Sequence, residues 1–120
     1  MKRDMELVRE ILLSIEESDN RKELDIPKEW DREVVAYHLK ILDQANFVEN
    51  KTKWAGDNVF WLYASLTWDG HEFLDSIKND NVWHKTKEGI KTKGFELGTV
   101  PLEVVKEFAK LQLKTVFGLE

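Results

Sequence analysis

The chain contains no cysteine, and this absence excludes several kinds of chemistry at once. Without thiols there can be no disulfide, no zinc site built on thiolates and no cysteine nucleophile. A reducing cytoplasm is therefore the simplest location to expect. The chain also lacks a run of roughly 20 apolar residues, and an acidic residue precedes the first apolar run, so we expect neither a membrane span nor a secretory signal.

Motifs that would mark an enzyme are missing as well. The sequence has no glycine-rich phosphate loop, no Walker lysine and no G-x-S-x-G elbow for a serine nucleophile. Its acidic residues are scattered without a pattern that would indicate a catalytic pair. We therefore expect a protein that is not an enzyme and that holds no cofactor.

The sequence does contain enough apolar residues for one core, since 42% of its 120 residues are hydrophobic and 34% are charged. The net charge is -5, with 11 basic and 18 acidic residues in 1–80 and 7 basic and 5 acidic residues in 81–120. This acidity argues against a strongly electrostatic nucleic-acid binder, which needs a clustered positive face. Positive potential, where it occurs, is expected to be local.

Two amphipathic helices are predicted in the first 45 residues. The first runs from Asp4, as its N-terminal cap, to Glu17. The second runs from Asp31 to Ala45, and Asn46 can end it in the left-handed conformation. Between them, E-L-D-I predicts a short strand, and P-K-E-W leaves room for one turn of a supporting helix. The side of the second helix that faces away from the core is expected to carry Glu33, Ala36, Lys40 and Gln44.

The runs F-V-E-N-K-T-K-W and V-F-W-L-Y-A-S-L, separated by A-G-D-N, predict a β-hairpin. Alternation assigns one set of side chains to the core face of the second strand: Phe60, Leu62, Ala64 and Leu66. In one register, Val48 and Trp54 share that face. The outer face then carries Lys51, Lys53, Trp61 and Tyr63. A slip of one residue would exchange the two faces.

Three further helices are predicted after the hairpin. One begins after Thr67, and N-D-N separates it from a basic helix that ends at Gly94. The last helix, from about Val100 to Phe117, has apolar residues over about 200° of its circumference, although one core needs a stripe of little more than 100°. The extra width indicates a second contact surface. We expect this helix either to complete the core or to form a homodimer through residues 100–117.

The order helix, short strand, helix, hairpin and helix is that of a winged helix, in which a recognition helix precedes a hairpin wing. Local patterns agree. V-V-A-Y-H-L-K-I-L-D-Q-A-N-F-V resembles the recognition helix and first wing strand of winged-helix repressors, and L-T-W-D-G-H-E-F-L resembles the L-T-x-x-G segment after their wing. We predict a single α+β domain, with a winged-helix-like core in residues 1–80 and a C-terminal helical extension in residues 81–120.

Four segments spread over nearly the whole chain carry a closer resemblance: M-K-R-D-M-E-L-V-R-E-I-L-L, Y-H-L-K-I-L, L-T-W-D-G-H-E-F-L-D and V-W-H-K-T-K. Together they resemble a family of short bacterial and prophage proteins designated domain of unknown function 2513. The resemblance implies a phage or prophage context and a winged-helix-like core. It implies no catalytic residues.

The histidines are the sharpest candidates for a catalytic or metal site. His71 lies among Asp69, Glu72 and Asp75, and a His and an Asp four residues apart on a helix could supply two metal ligands. Zinc needs at least three protein ligands, and no pattern supplies the third. We therefore expect no metal, and a surface pair between His71 and Asp75. His38 lies within the apolar arc of its helix and is expected to be a hydrogen-bonded core residue.

The predicted binding surface combines basic and aromatic residues of the second helix and the hairpin: Arg32, Tyr37, Lys40, Lys51, Lys53, Trp54 and Trp61. Such residues could contact phosphates and stack on bases, which makes DNA binding in transcriptional control the leading function. The alternative is a protein-binding module, such as a phage-encoded inhibitor or adaptor of a host protein complex. Acidic residues interrupt the basic ones, and tryptophans such as Trp61 and Trp83 are favoured at protein interfaces.

Overall fold

A computed structural model describes residues 1–19 and 21–119 as an α+β fold, which agrees with the predicted fold class. The helices of the described chain are α1 (Met5–Glu17), α2 (Arg32–Gln44), α3 (Trp68–Ile77), α4 (Asp80–Thr92) and α5 (Leu102–Val116), with a short 3-10 turn at Leu97–Thr99 before α5. The strands are β1 (Val48–Asn50), β2 (Lys53–Ala55), β3 (Asn58–Trp61) and β4 (Ala64–Leu66).

The helix boundaries follow the capping residues of the sequence. The Asp4 carboxylate accepts hydrogen bonds from the first free backbone N–H groups of α1, and Asp31 does the same for α2. Thr67 and Asn79 cap α3 and α4 in the same way. The predicted starts of the first two helices and the break between α3 and α4 are confirmed.

The segment between α1 and α2 corrects one prediction. E-L-D-I forms no strand among the described residues, although the Leu24 N–H donates to the Leu62 carbonyl at 2.8 Å. The Leu62 N–H, which would donate to a backbone carbonyl in a regular strand pair, donates instead to the Glu23 carboxylate at 3.1 Å. The predicted single turn is present, since the Trp30 N–H donates to the Pro27 carbonyl at 3.1 Å.

The four strands form one bent hairpin. At its base β1 pairs with β4, and Val48 lies opposite Leu66. Further out β2 pairs with β3, where Lys53 lies opposite Trp61 but Trp54 lies opposite Val59. Phe60 is therefore an extra residue in β3, which is the arrangement of a β-bulge.

The bulge explains why the predicted faces are right at the base of the hairpin and wrong at its tip. Val48, Leu62 and Ala64 are buried, as expected. Phe60 and Trp54, both expected on the core face, are 54% and 49% exposed. An inserted residue interrupts the alternation of side chains between the two faces. The insertion itself leaves no pattern in the sequence that would reveal it.

The joint between α2, the hairpin and α3 is closely packed. Asn46 takes a φ of 65°, as predicted, and the Phe47 N–H then donates back to the Leu42 carbonyl at 2.9 Å. The Thr67 hydroxyl donates to the Asn46 carbonyl at 2.6 Å. A Cβ on Gly70 would lie 1.8 Å from the Phe47 carbonyl oxygen, so only glycine allows this approach.

The core extends from these elements into α4 and α5. Trp83 is 3% exposed and its indole N–H donates to the Glu6 carboxylate, so the expectation that it marks a partner surface is wrong. Arg9, also buried, donates to the carbonyls of Ile77 and Lys78 at 2.9 and 2.7 Å. Its guanidinium satisfies backbone groups left free where α3 ends. The charge of Arg9 gave no sign of this role in the sequence.

Candidate binding surface

The hairpin lies along α2 and is held to it at both ends. Near the start of α2, the Arg32 guanidinium donates to the Val59 carbonyl at 3.4 Å. Near its end, the Asp43 carboxylate accepts from the Asn50 N–H at 2.8 Å. Ala36, expected on the solvent side of the helix, is 3% exposed. The outer surface of α2 is therefore narrower than the sequence predicted.

The seven predicted binding residues are divided between α2 and the hairpin. Lys53 and Trp61 face each other across the hairpin, and Trp54 is one residue from Lys53. Tyr37 lies on another flank, where it helps to line a surface cavity of about 600 Å³ together with Arg3 and Leu102. The Tyr37 ring packs edge-on against His38, with 5.4 Å between the ring centroids.

Charge on α2 and the hairpin is balanced rather than positive. Residues 31–61 carry four basic and five acidic side chains, and all nine are exposed. Arg32 forms an ion pair of 2.7 Å with Glu23, and Lys51 forms one of 3.6 Å with Glu49. The hydrogen bond from Arg32 lowers the pKa of Glu23, and the hydrogen bond from the Leu62 N–H adds to this effect. Lys40 and Lys53 are exposed, with no ion pair among the described residues.

The aromatic side chains at the tip of the hairpin are the other feature of this surface. Trp54 and Phe60 are about half exposed, and Trp61 is half-buried beside them in the hairpin. We call residues 53–61 the hairpin tip. Phe60 was missed as a surface residue because the bulge that exposes it leaves no regular pattern in the sequence. Trp68, 77% exposed at the start of α3, lies at the other end of the hairpin.

The histidines do not assemble a metal site. No group of three or more potential ligands occurs in residues 1–19 and 21–119. His38 is fully buried, as predicted, with its Nε2 accepting from the Asp4 N–H at 2.9 Å and its Nδ1 2.8 Å from the Val34 carbonyl. His71 and Asp75 are both exposed but form no ion pair in this part of the chain, so the expected pair is absent.

Comparison with known proteins gives a family. A sequence model of the family described as "Hypothetical protein (DUF2513)" matches residues 2–96. The chain belongs to this family. The match confirms the resemblance drawn from the sequence, and it covers every described element of the DUF2513 protein from α1 to α4.

One relative extends the comparison to most of the chain. A protein of Haemophilus influenzae (strain ATCC 51907 / DSM 11121 / KW20 / Rd), described as "Uncharacterized protein", is 35% identical over 113 residues. The aligned part covers 92% of this chain and 93% of the relative. No solved structure is significantly similar to the chain. Among the described residues, none of the helices has the length and apolar character needed to cross a bilayer.

Proposed function

We propose that the protein acts by non-covalent binding of another protein, with the hairpin tip as the main contact surface. The observation that carries this proposal is the balance of charge in residues 31–61, four basic against five acidic exposed side chains. Neutralising phosphates needs a cluster of unpaired positive charge. Protein interfaces instead use aromatic residues at the centre and mixed charges at the rim.

The geometry of the hairpin tip supports the same class of partner. Trp54 and Phe60 leave about half of their surfaces in water, and the exposed acidic Asp57 lies in the turn between them. Aromatic side chains with this exposure are typical of binding hot spots, because burying them on a partner removes a large apolar area from water. The paired Arg32 and Lys51 would lie at the edge of such a contact.

The predicted ancestry and origin of the protein agree with a protein-binding function. Element order and the family resemblance favour a winged-helix ancestry, and the resemblance also favours a phage or prophage origin. The absence of cysteine favours a cytoplasmic location. In this interpretation the turn from Pro27 to Trp30 stands where a DNA-reading winged helix has its supporting helix. A fold that has the hairpin but lacks the supporting helix fits a phage-encoded inhibitor or adaptor of a host protein complex.

A capture experiment with matched variants tests the protein-binding proposal. Wild-type protein, a Trp54→Ala/Phe60→Ala variant and a Trp68→Ala variant are immobilised and exposed to bacterial host lysate. We expect a partner that wild type and the Trp68→Ala control retain and that the double variant loses by at least tenfold, since hot-spot truncations cost about 2 kcal/mol or more. A partner held equally by all three would remove the hairpin tip from the interface.

DNA binding is the second candidate, favoured by Lys40 and Lys53, which are exposed and lack ion pairs among the described residues. Titration of random-sequence duplex DNA over a salt series tests it. Neutralising three or four phosphates would make log affinity fall with log salt at a slope of roughly -3, and Lys40→Ala/Lys53→Ala would flatten that slope. The protein-binding proposal expects no detectable complex even at low salt.

A further inference from the structure

The second half of α5 projects from the core with apolar side chains in water. Ala109 is the last buried residue of the described chain, and in the two turns of α5 that follow it only Gln112 and Leu113 are partly buried. Leu111 and Val116 in these turns are 51% and 47% exposed, and Phe117 beyond them is 67% exposed. We propose that α5 pairs antiparallel with α5 of a second copy of this chain, forming a symmetric dimer.

The exposed side of α5 has the spacing of a helix-pairing seam. Its members follow one another at intervals of four, three and four residues, which is the repeat of a coiled-coil contact. We call this set the α5 seam: Val104, Phe108, Leu111 and Thr115. The residues that face the core, Leu102, Val105 and Ala109, lie on another side of the helix. Val104, Leu111 and Thr115 are exposed while α5 is docked, and Phe108 lies at the border of the seam, partly buried against the core. This division accounts for the wide apolar arc seen in the sequence.

Charge beside the α5 seam selects the direction of pairing. Glu107 and Lys114 flank the seam at equivalent positions one heptad apart. Antiparallel helices related by a two-fold axis near Leu111 would place each Glu107 against Lys114 of the second copy, giving two ion pairs. A parallel arrangement would instead place Glu107 beside Gln112 and Lys114 beside Leu119 of the second copy, and neither ion pair would form. Within residues 1–19 and 21–119, Glu107 has one ion-pair partner, Lys110 at 4.0 Å, and so long an exposed contact contributes little.

An apolar groove at the start of α5 completes the complementarity. The groove has a volume of about 420 Å³, and its apolar lining comes from Ile90, Phe95, Val100, Pro101, Val104 and Phe108. In the antiparallel arrangement, the end of the second copy's α5 lies beside this groove. That end carries Phe117 and Leu119, which are 67% and 71% exposed. The most exposed apolar end of one chain thereby covers the apolar groove of the other, and the two-fold axis repeats the contact.

Sedimentation equilibrium of the full chain from roughly 1 µM to roughly 1 mM tests the dimer. We expect wild type to move from monomer to dimer over this range. Leu111→Glu, at an exposed position that does not disturb the fold, should stay monomeric. Glu107→Lys turns two attractions into two repulsions and should raise the dissociation constant about tenfold, whereas Glu107→Lys/Lys114→Glu restores both pairs and should return it to within about threefold of wild type.

Lys28→Glu is the matched control, because Lys28 is an exposed lysine in the turn before α2. It should leave the dimer unchanged, and circular dichroism should show the same helix content for all variants. A wild-type chain that remains monomeric up to the highest concentration would overturn the proposal. So would a dimer that Leu111→Glu leaves intact. Failure of the charge swap to recover what Glu107→Lys loses would rule out the antiparallel arrangement.

Discussion

Phe73 and Phe60 belong to the same stretch of chain, yet one is fully buried and the other is 54% exposed. Phe73 stacks on Phe47 at the joint of α2, the hairpin and α3, with 4.8 Å between the ring centroids. Phe60 stands in a bulge at the hairpin tip, where the pairing register shifts. The joint uses aromatic residues to fix the fold, and the tip displays them. The buried ring of the joint and the exposed ring of the tip thus lie at opposite ends of the hairpin, and our proposal assigns recognition to the exposed end.

The largest expected difference comes from truncating the two phenylalanines. Phe73→Ala removes a fully buried ring and should lower the free energy of unfolding by about 3–5 kcal/mol. Phe60→Ala should change it by less than about 0.5 kcal/mol, because the ring already meets water. Urea denaturation of both variants measures the contrast. Equal losses at the two sites would mean that the tip is part of the core after all.

A smaller but more local effect is expected from Gly70. In Gly70→Ala the new methyl group meets the Phe47 carbonyl oxygen, a backbone atom that can move only if the joint opens. We expect a loss of about 3 kcal/mol in the free energy of unfolding. The control is Gly89→Ala in α4, where the new Cβ would lie 3.3 Å from the movable Phe108 ring. Because alanine favours a helix by up to about 1 kcal/mol over glycine, that control should be near neutral in the same urea assay.

The smallest effect concerns Glu23, which ties the hairpin to the segment before α2. Its pKa is lowered from the ordinary value of 4.5, chiefly by the Arg32 hydrogen bond, so its stabilising effect is present above about pH 4.5 and is lost as the pH falls through the lowered value. Glu23→Gln should cost about 0.5–1 kcal/mol at neutral pH, because the pair is partly exposed. Urea midpoints of both proteins from neutral to acid pH should converge. A constant difference at all pH values would show that ionisation of Glu23 is irrelevant.

The joint of α2, the hairpin and α3 could be predicted from the sequence because each of its parts has a local sequence signal. Asp31 and Thr67 are capping residues, and Asn46 tolerates the left-handed conformation that it adopts. The hairpin tip was mispredicted because a bulge depends on how two strands pair, and alternation in one strand does not encode its partner's length. The burial of Arg9 was missed because the backbone carbonyls that its guanidinium binds lie about 70 residues away in the sequence.

The candidate site was only partly predictable for the same reason. Trp54 and Lys53 could be assigned to the hairpin, but their exposure depends on the bulge. Trp83 looked like a surface tryptophan in a lysine-rich helix, yet Glu6 and Arg9 of α1 cover it. Charge balance over residues 31–61 could be counted from the sequence. That all nine charges are exposed follows only from the fold.

Amide hydrogen exchange of the protein, alone and with the partner captured from host lysate, tests most directly whether the hairpin tip is the binding surface. We predict slower exchange in residues 53–61 on binding, with little change in α3 around Phe73, whose amides are already protected by the core. Protection confined to α4 or α5, or the same protection produced by duplex DNA in place of the protein partner, would contradict the proposal.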